Sequence, residues 1–166
     1  HGDSNTVLYA GNLFRSKGLQ YLIEAMPQLV RFIPGAQLIV AGDGPDRAFF
    51  HSLTEKLGVS DRIRFLGAIP FDRMPPLYQS CSVFCLPTLA EAFGVSLLQA
   101  MASGKPVVAS RVGGVPHFVE DGRSGILVAP MNPEELAEAI QTLLSDPTRC
   151  QETGEYNRRL CEERYD

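Results

Sequence analysis

The chain has 166 residues, 45% of them apolar and 20% charged, with a formal net charge of −4. A chain of this length suits one domain and buries roughly 70% of its unfolded surface, enough for a core without staples. The acidic balance argues against a general nucleic-acid binder, which presents a basic face. A local phosphate site remains open, because one Lys and a few backbone amides suffice for it.

The first apolar run is residues 6–10, followed by a helical pattern over 18–33. There Leu19, Leu22, Ile23, Met26, Leu29 and Val30 recur at helical spacing, and Pro34-Gly35 ends the pattern. A second strand over 36–41 leads to a helix over 46–57, with Phe49, Phe50, Leu53 and Leu57 on one side. A strand at 62–66, a short helix at 72–80 and a strand at 82–86 follow. The segment 94–103 is apolar on most sides and predicts a buried helix ahead of a strand at 106–110. The last strand is 125–128. A helix over 133–144 then has Asn132 as N-cap and Pro133 in its first turn. A polar helix begins at Asp146 or Pro147.

The strands are mostly continuous apolar runs, as expected when both faces are covered. Strands alternating with helices imply βαβ units and a parallel sheet. The predicted fold class is therefore α/β: a single Rossmann-like layered domain with a mostly parallel six-stranded sheet.

Cys81 and Cys85 lie four apart in a segment that reads as a strand, about 13 Å from each other and too far apart to form a disulfide. With Cys150 and Cys161 they read as scattered thiols of a reducing cytoplasm. No apolar run reaches the roughly 18 residues of a membrane span, and no signal peptide is visible. A cytoplasmic protein without a transmembrane segment is expected. The chain has no starting Met and ends inside a charged helical pattern, which suggests a fragment.

Gly11, Gly42, Gly44, Gly67, Gly113 and Gly114 all follow predicted strand ends. Ligands of open parallel sheets bind beyond the carboxyl ends of the strands, and Gly lets backbone come close to them. Lys17, just before the first helix, lies within reach of a phosphate held at that edge, with Arg15 a weaker candidate. The G-x-G of Gly42 and Gly44 is not a dinucleotide fingerprint, because Arg47 occupies the third position and no suitable acid follows.

The segment from Glu91 to Gln99 carries the most chemistry. Glu91 precedes a helix expected to start near Phe93-Gly94, so the N–H groups of Phe93, Gly94 and Val95 would favour an anion. Gln99 is expected about two turns on, roughly 12 Å from Glu91 along the axis. Those two positions suit opposite ends of a sugar nucleotide, with a carboxylate on sugar hydroxyls and an amide on ribose hydroxyls.

These segments together resemble the C-terminal, donor-binding domain of retaining glycosyltransferase family 4, which has the GT-B fold. The motifs are Gly11, Leu13, Lys17 and Gly18; GDGP at 42–45; Phe65 to Gly67; and LPT…E-x-FG…L-x-AMA-x-G-x-PVVAS-x-x-GG-x-P. A closing DG-x-x-G-x-LV-x-P spans 121–130. The resemblance implies that Lys17 contacts the donor diphosphate and Glu91 the donor sugar. It places the backbone of Phe93, Gly94 and Val95 against sugar and phosphate, Gln99 on the ribose, and the loops after Gly42 and Gly67 beside the base. Gly11, Asn12, Arg15 and Gly44 complete the donor-binding set.

Three positions depart from the family pattern. Gln99 stands where a second Glu is usual, Asn12 where an Arg is frequent, and His117 where a Glu often follows GG-x-P. His117 reads as a loop histidine without a catalytic role. The implied activity is transfer of a sugar from a nucleotide diphosphate sugar to an acceptor, with retention and with neither metal nor cofactor. The implied partner is an N-terminal acceptor domain absent from this chain. Two rivals stand beside this reading: a GT-B sugar-nucleotide epimerase or phosphorylase half, and a non-catalytic nucleotide-binding module.

Overall fold

A computed structural model describes residues 5–91 and 93–165. In chain order the elements are β1 (Thr6–Ala10), α1 (Leu19–Phe32), β2 (Gln37–Ala41), α2 (Arg47–Lys56), β3 (Ile63–Gly67), α3 (Met74–Ser80) and β4 (Val83–Leu86). Then come α4 (Val95–Ala102), β5 (Val107–Ser110), α5 (Val115–Phe118), β6 (Gly125–Val128), α6 (Pro133–Leu144) and α7 (Pro147–Tyr165). The one helix not expected from the sequence is α5. At four residues it is too short to show an apolar period.

All the strands pair in parallel, in the order β3-β2-β1-β4-β5-β6. The order reverses between β1 and β4, whose pairing sets Val7 opposite Val83 and Leu8 opposite Phe84. Crossover connections leave this point in opposite directions, so a crevice opens beyond the carboxyl ends of the strands.

The twofold alternation of the strands divides the core. Val7 and Tyr9 of β1 join Leu38, Val40, Val83 and Cys85 on one face. There they meet Leu22, Ile23, Met26 and Leu29 of α1, Phe50 of α2, and Leu136 and Ile140 of α6. Leu8, Ala10, Phe84 and Leu86 lie on the other face. That face is covered by Met74 and Tyr78 of α3, Leu97, Ala100 and Met101 of α4, and Val115 of α5. Each fully buried large apolar side chain contributes roughly 1.5–3 kcal/mol, and burial on both faces explains the largely apolar runs of β1, β4 and β5, whereas edge strand β3 carries exposed Arg64.

The cysteines are free thiols, and Cys81 lies ahead of β4 rather than within it. Its thiol donates to the carbonyl of Tyr78 at 3.3 Å. No helix of the described residues is long and apolar enough to cross a membrane.

Helices α6 and α7 show how polar residues are used. Asn132 caps α6: its Oδ1 accepts from the Glu135 N–H at 3.0 Å and its Nδ2 donates to the Glu135 carboxylate at 2.8 Å. The polar α7 buries few apolar side chains, chiefly Leu160 and Cys161. Hydrogen bonds fix it instead. Fully buried Asn157 donates to the carbonyls of Lys105 (2.9 Å) and Ser124 (2.8 Å), and the Tyr156 hydroxyl donates to Glu120 at 2.7 Å.

The backbone of α7 also lies directly on the turn between α4 and β5. A Cβ at Gly154 would stand 2.0 Å from the Gly104 carbonyl oxygen. Gly154→Ala should therefore destabilise the protein, although Ala favours an isolated helix by about 1 kcal/mol over Gly. Overpacking of this kind costs about 1–3 kcal/mol. A chemical-denaturation midpoint that stays level or rises would show that α7 does not approach so closely.

Candidate active site

A cavity of about 380 Å³ occupies the crevice at the carboxyl edge of the sheet. Its floor is the end of β1 and β2, with Ala10, Gly11, Asn12, Ala41, Gly42 and Asp43. One wall is the loop after β3 and helix α3, with Ala68, Ile69, Phe71, Met74 and Tyr78. The opposite wall is the start of α4, with Val95, Ser96 and Gln99.

The edge loops are tied to one another. Gly11 N–H donates to Ala41 O at 3.0 Å, Leu13 N–H to Asp43 O at 3.0 Å, and Gly42 N–H to Gly67 O at 2.8 Å. Gly44 packs against the backbone of Leu13. At Gly42 and Gly44 the missing side chain lets loop meet loop, and neither Gly44 nor Gly67 is among the residues lining this cavity. Gly11 and Gly42 do line it.

Beneath this floor the buried Tyr9 hydroxyl donates to the carbonyl of Asn12 at 3.0 Å. Sequence reasoning passed over Tyr9. The available signal was a phenol within an apolar strand, since a buried Tyr hydroxyl needs a partner.

Lys17 and Glu91, 74 positions apart, form an ion pair at 3.3 Å. Lys17 closes a short 3-10 turn, Arg15–Lys17, and that turn is fastened to the β4–α4 loop by Leu89 N–H donating to Ser16 O at 3.0 Å. Glu91 is held from the other side by the loop after β5. Gly114 N–H donates to Glu91 O at 3.0 Å. Gly113 takes φ +49°, and a Cβ there would stand 2.4 Å from the same oxygen. Only glycine fits that approach. The pair lies outside the residues lining the cavity.

The start of α4 differs from expectation. Gly94 adopts φ +58° and precedes the helix, which begins at Val95. The Gly94 N–H is not free, because it donates to Glu91 Oε2 at 3.4 Å. Phe93 is outside the helix and 74% exposed, while Val95 opens the helix and borders the cavity. Gln99 lies about one turn into α4, roughly 6 Å from its start, and Glu91 precedes the helix as expected.

Gln99 is half-buried, and its Oε1 accepts from the Tyr78 hydroxyl at 2.9 Å. Burial, with a smaller effect of Cys81, pushes the Tyr78 phenol up to about 12, so it stays protonated and donates. Arg15 turns elsewhere: its guanidinium lies 3.7 Å over the Phe49 ring, its N–H donates to Asp46, and it does not line the cavity. His117 is exposed on α5. Among the described residues no group of His, Cys, Asp and Glu is arranged to hold a metal ion.

This sheet order and edge crevice define a Rossmann-like unit. Residues 1–160 match the family described as Glycosyl transferases group 1. The chain belongs to that family. It is 39% identical over 144 residues to an uncharacterized glycosyltransferase, MJ1607, of Methanocaldococcus jannaschii, covering 87% of this chain and 37% of that protein. It is 36% identical over 145 residues to the alpha-D-kanosaminyltransferase of Streptomyces kanamyceticus, covering 87% and 38%. The chain thus spans less than two-fifths of the length of these relatives.

The crystal structure of Anabaena Alr3699/HepE with UDP superimposes with a TM-score of 0.90 at 30% identity, over 98% of this chain and 45% of that one. The C-terminal domain of a group 1 glycosyl transferase, LpcC of Francisella tularensis, gives a TM-score of 0.89 at 26% identity, over 98% and 86%.

Tyr9→Phe should lower stability by about 0.5–1.5 kcal/mol, the usual net worth of one hydrogen bond, because the Asn12 carbonyl loses its buried donor. Urea unfolding with an unchanged slope reads this directly. No loss would show that Tyr9 does not hold the floor.

Proposed function

We propose that this chain is the donor-binding domain of a retaining glycosyltransferase that moves a sugar from a nucleoside diphosphate to an acceptor without a bound metal. The observation that carries the reading is the Lys17–Glu91 pair at the edge of the sheet, close in the chain to the loop and helix that wall the cavity. It joins a cation suited to a diphosphate and a carboxylate suited to sugar hydroxyls. The UDP complex of HepE and its counterpart with UDP-glucose support a nucleoside diphosphate sugar as the ligand.

In this reading the nucleoside occupies the cavity. Ribose lies at Gln99, and the base lies toward Ala68, Ile69 and Phe71, the last of which is 76% exposed at the rim and offers an apolar surface. The diphosphate extends to Lys17. As the glycosidic bond breaks, charge grows on the leaving phosphate, and a fixed ammonium stabilises it. Glu91 orients the sugar through its hydroxyls. Its partner is Lys17 and not a second carboxylate, which favours front-face attack over the double displacement of glycosidases. The acceptor site belongs to an N-terminal domain of a longer parent, a reading supported by the greater length of the relatives.

The first test is a thermal-shift panel of UDP, GDP and ADP, since a ligand of the native state raises the melting temperature. Calorimetry in chelator then compares the best diphosphate with its nucleoside. Lys17→Ala should weaken the diphosphate about ten- to a hundredfold, the loss of a charge-assisted contact, and leave the nucleoside nearly unchanged. Equal losses would remove Lys17 from the phosphate.

Glu91 and Gln99 should separate by ligand. Gln99→Ala is expected to weaken free diphosphate and its sugar nucleotide alike, by roughly 0.5–1.5 kcal/mol. Glu91→Ala should weaken only the sugar nucleotide; it also uncovers Lys17, so the free diphosphate should bind no less tightly. If Glu91 serves only to secure the start of α4, stability falls by about 1 kcal/mol with no discrimination between the two ligands.

A further inference from the structure

Gln99 is the one side chain of α4 that borders three depressions: the cavity, the apolar groove between α4 and α7, and a smaller hollow beside α3. An unrestrained Gln amide rotates about its last torsion and presents either its oxygen or its nitrogen. Here the choice is made by a neighbour. Tyr78 is 3% exposed, its ring lies 5.7 Å from that of Phe84, and its hydroxyl proton is spent on Gln99 Oε1 at 2.9 Å. Gln99 Nε2 has no hydrogen-bond partner among the described residues, and it is not among the buried atoms left unsatisfied.

We infer that Tyr78 is a positioning residue that pins the Gln99 amide, so that this site meets the ribose with fixed N–H donors. A carboxylate in the same place would accept from both ribose hydroxyls. A pinned amide instead reads the lone pairs of a ribose oxygen. The inference rests on the reading that the cavity holds a nucleoside diphosphate, and it adds the polarity with which the sugar of that nucleoside is recognised.

The test is a double-mutant cycle on the 166-residue chain, read by calorimetry with UDP, or with GDP or ADP where the panel favours one of them. Tyr78→Phe keeps the ring and removes the pin. It should weaken the diphosphate roughly three- to tenfold in the wild-type background and have no effect on Gln99→Ala. The preference for the diphosphate over its 2′,3′-dideoxy form should shrink in Tyr78→Phe, whereas a merely structural loss lowers both affinities in proportion. An equal loss in both backgrounds would show that Tyr78 touches the ligand or only supports the fold, and would overturn the inference. So would an unchanged affinity in Tyr78→Phe. Failure of all three diphosphates to bind the wild-type chain would instead remove the underlying reading of the cavity.

Discussion

The structure depends on the parallel pairing of β1 with β4. These strands are far apart in sequence, and their union sends the chain outward in two directions from one line. Each direction covers a different face with helices, so the central strands are buried on both faces and are largely apolar. The same geometry leaves the strand ends at that line without a crossing helix. The opening is a consequence of connectivity, and its walls are the loops the chain is obliged to put there.

Beside that opening the positions of side chains are set by backbone. Lys17 reaches Glu91 because Leu89 and Ser16 bind the two carrier loops together, and Glu91 is gripped by the turn after β5. Three segments that are distant in sequence therefore fix a single ion pair. Neither charge stands on a long free arm, which suits a task that asks for prior orientation.

The six strands, their parallel pairing and the placement of most helices could be read from apolar runs and from turn residues such as Pro34-Gly35, whereas the order of the strands in the sheet came only with the structure. The α5 turn escaped because Val115–Phe118 is shorter than the period needed to detect it. At the site, the residue types at positions 17, 91 and 99 were legible, but their mutual contacts were not. Spacing along the chain cannot show that Lys17 and Glu91 meet, that Gly94 gives its N–H to Glu91, or that Arg15 lies on Phe49. The glycines are ambiguous for a related reason. A missing side chain signals close approach without saying whether a ligand or another loop approaches, and at Gly44 it is a loop. Tyr9 and Tyr78 were invisible as site residues because each looks like core until its hydroxyl is seen to have a partner.

The ion pair has a bearing on which anions the resting site admits. A bare ammonium at a sheet edge would attract any small anion in its surroundings. Lys17 is instead covered by a carboxylate 3.3 Å away, and both side chains are partly withdrawn from water. An incoming anion must offer enough additional contact to repay displacement of that carboxylate or to share the cation with it. Inorganic phosphate brings charge alone. A ligand that also fills the neighbouring cavity and engages Glu91 through hydroxyls satisfies both members of the pair at once. Under the proposed reading, the neutralised resting pair favours a ligand that offers both charge and hydroxyls over one that offers charge alone.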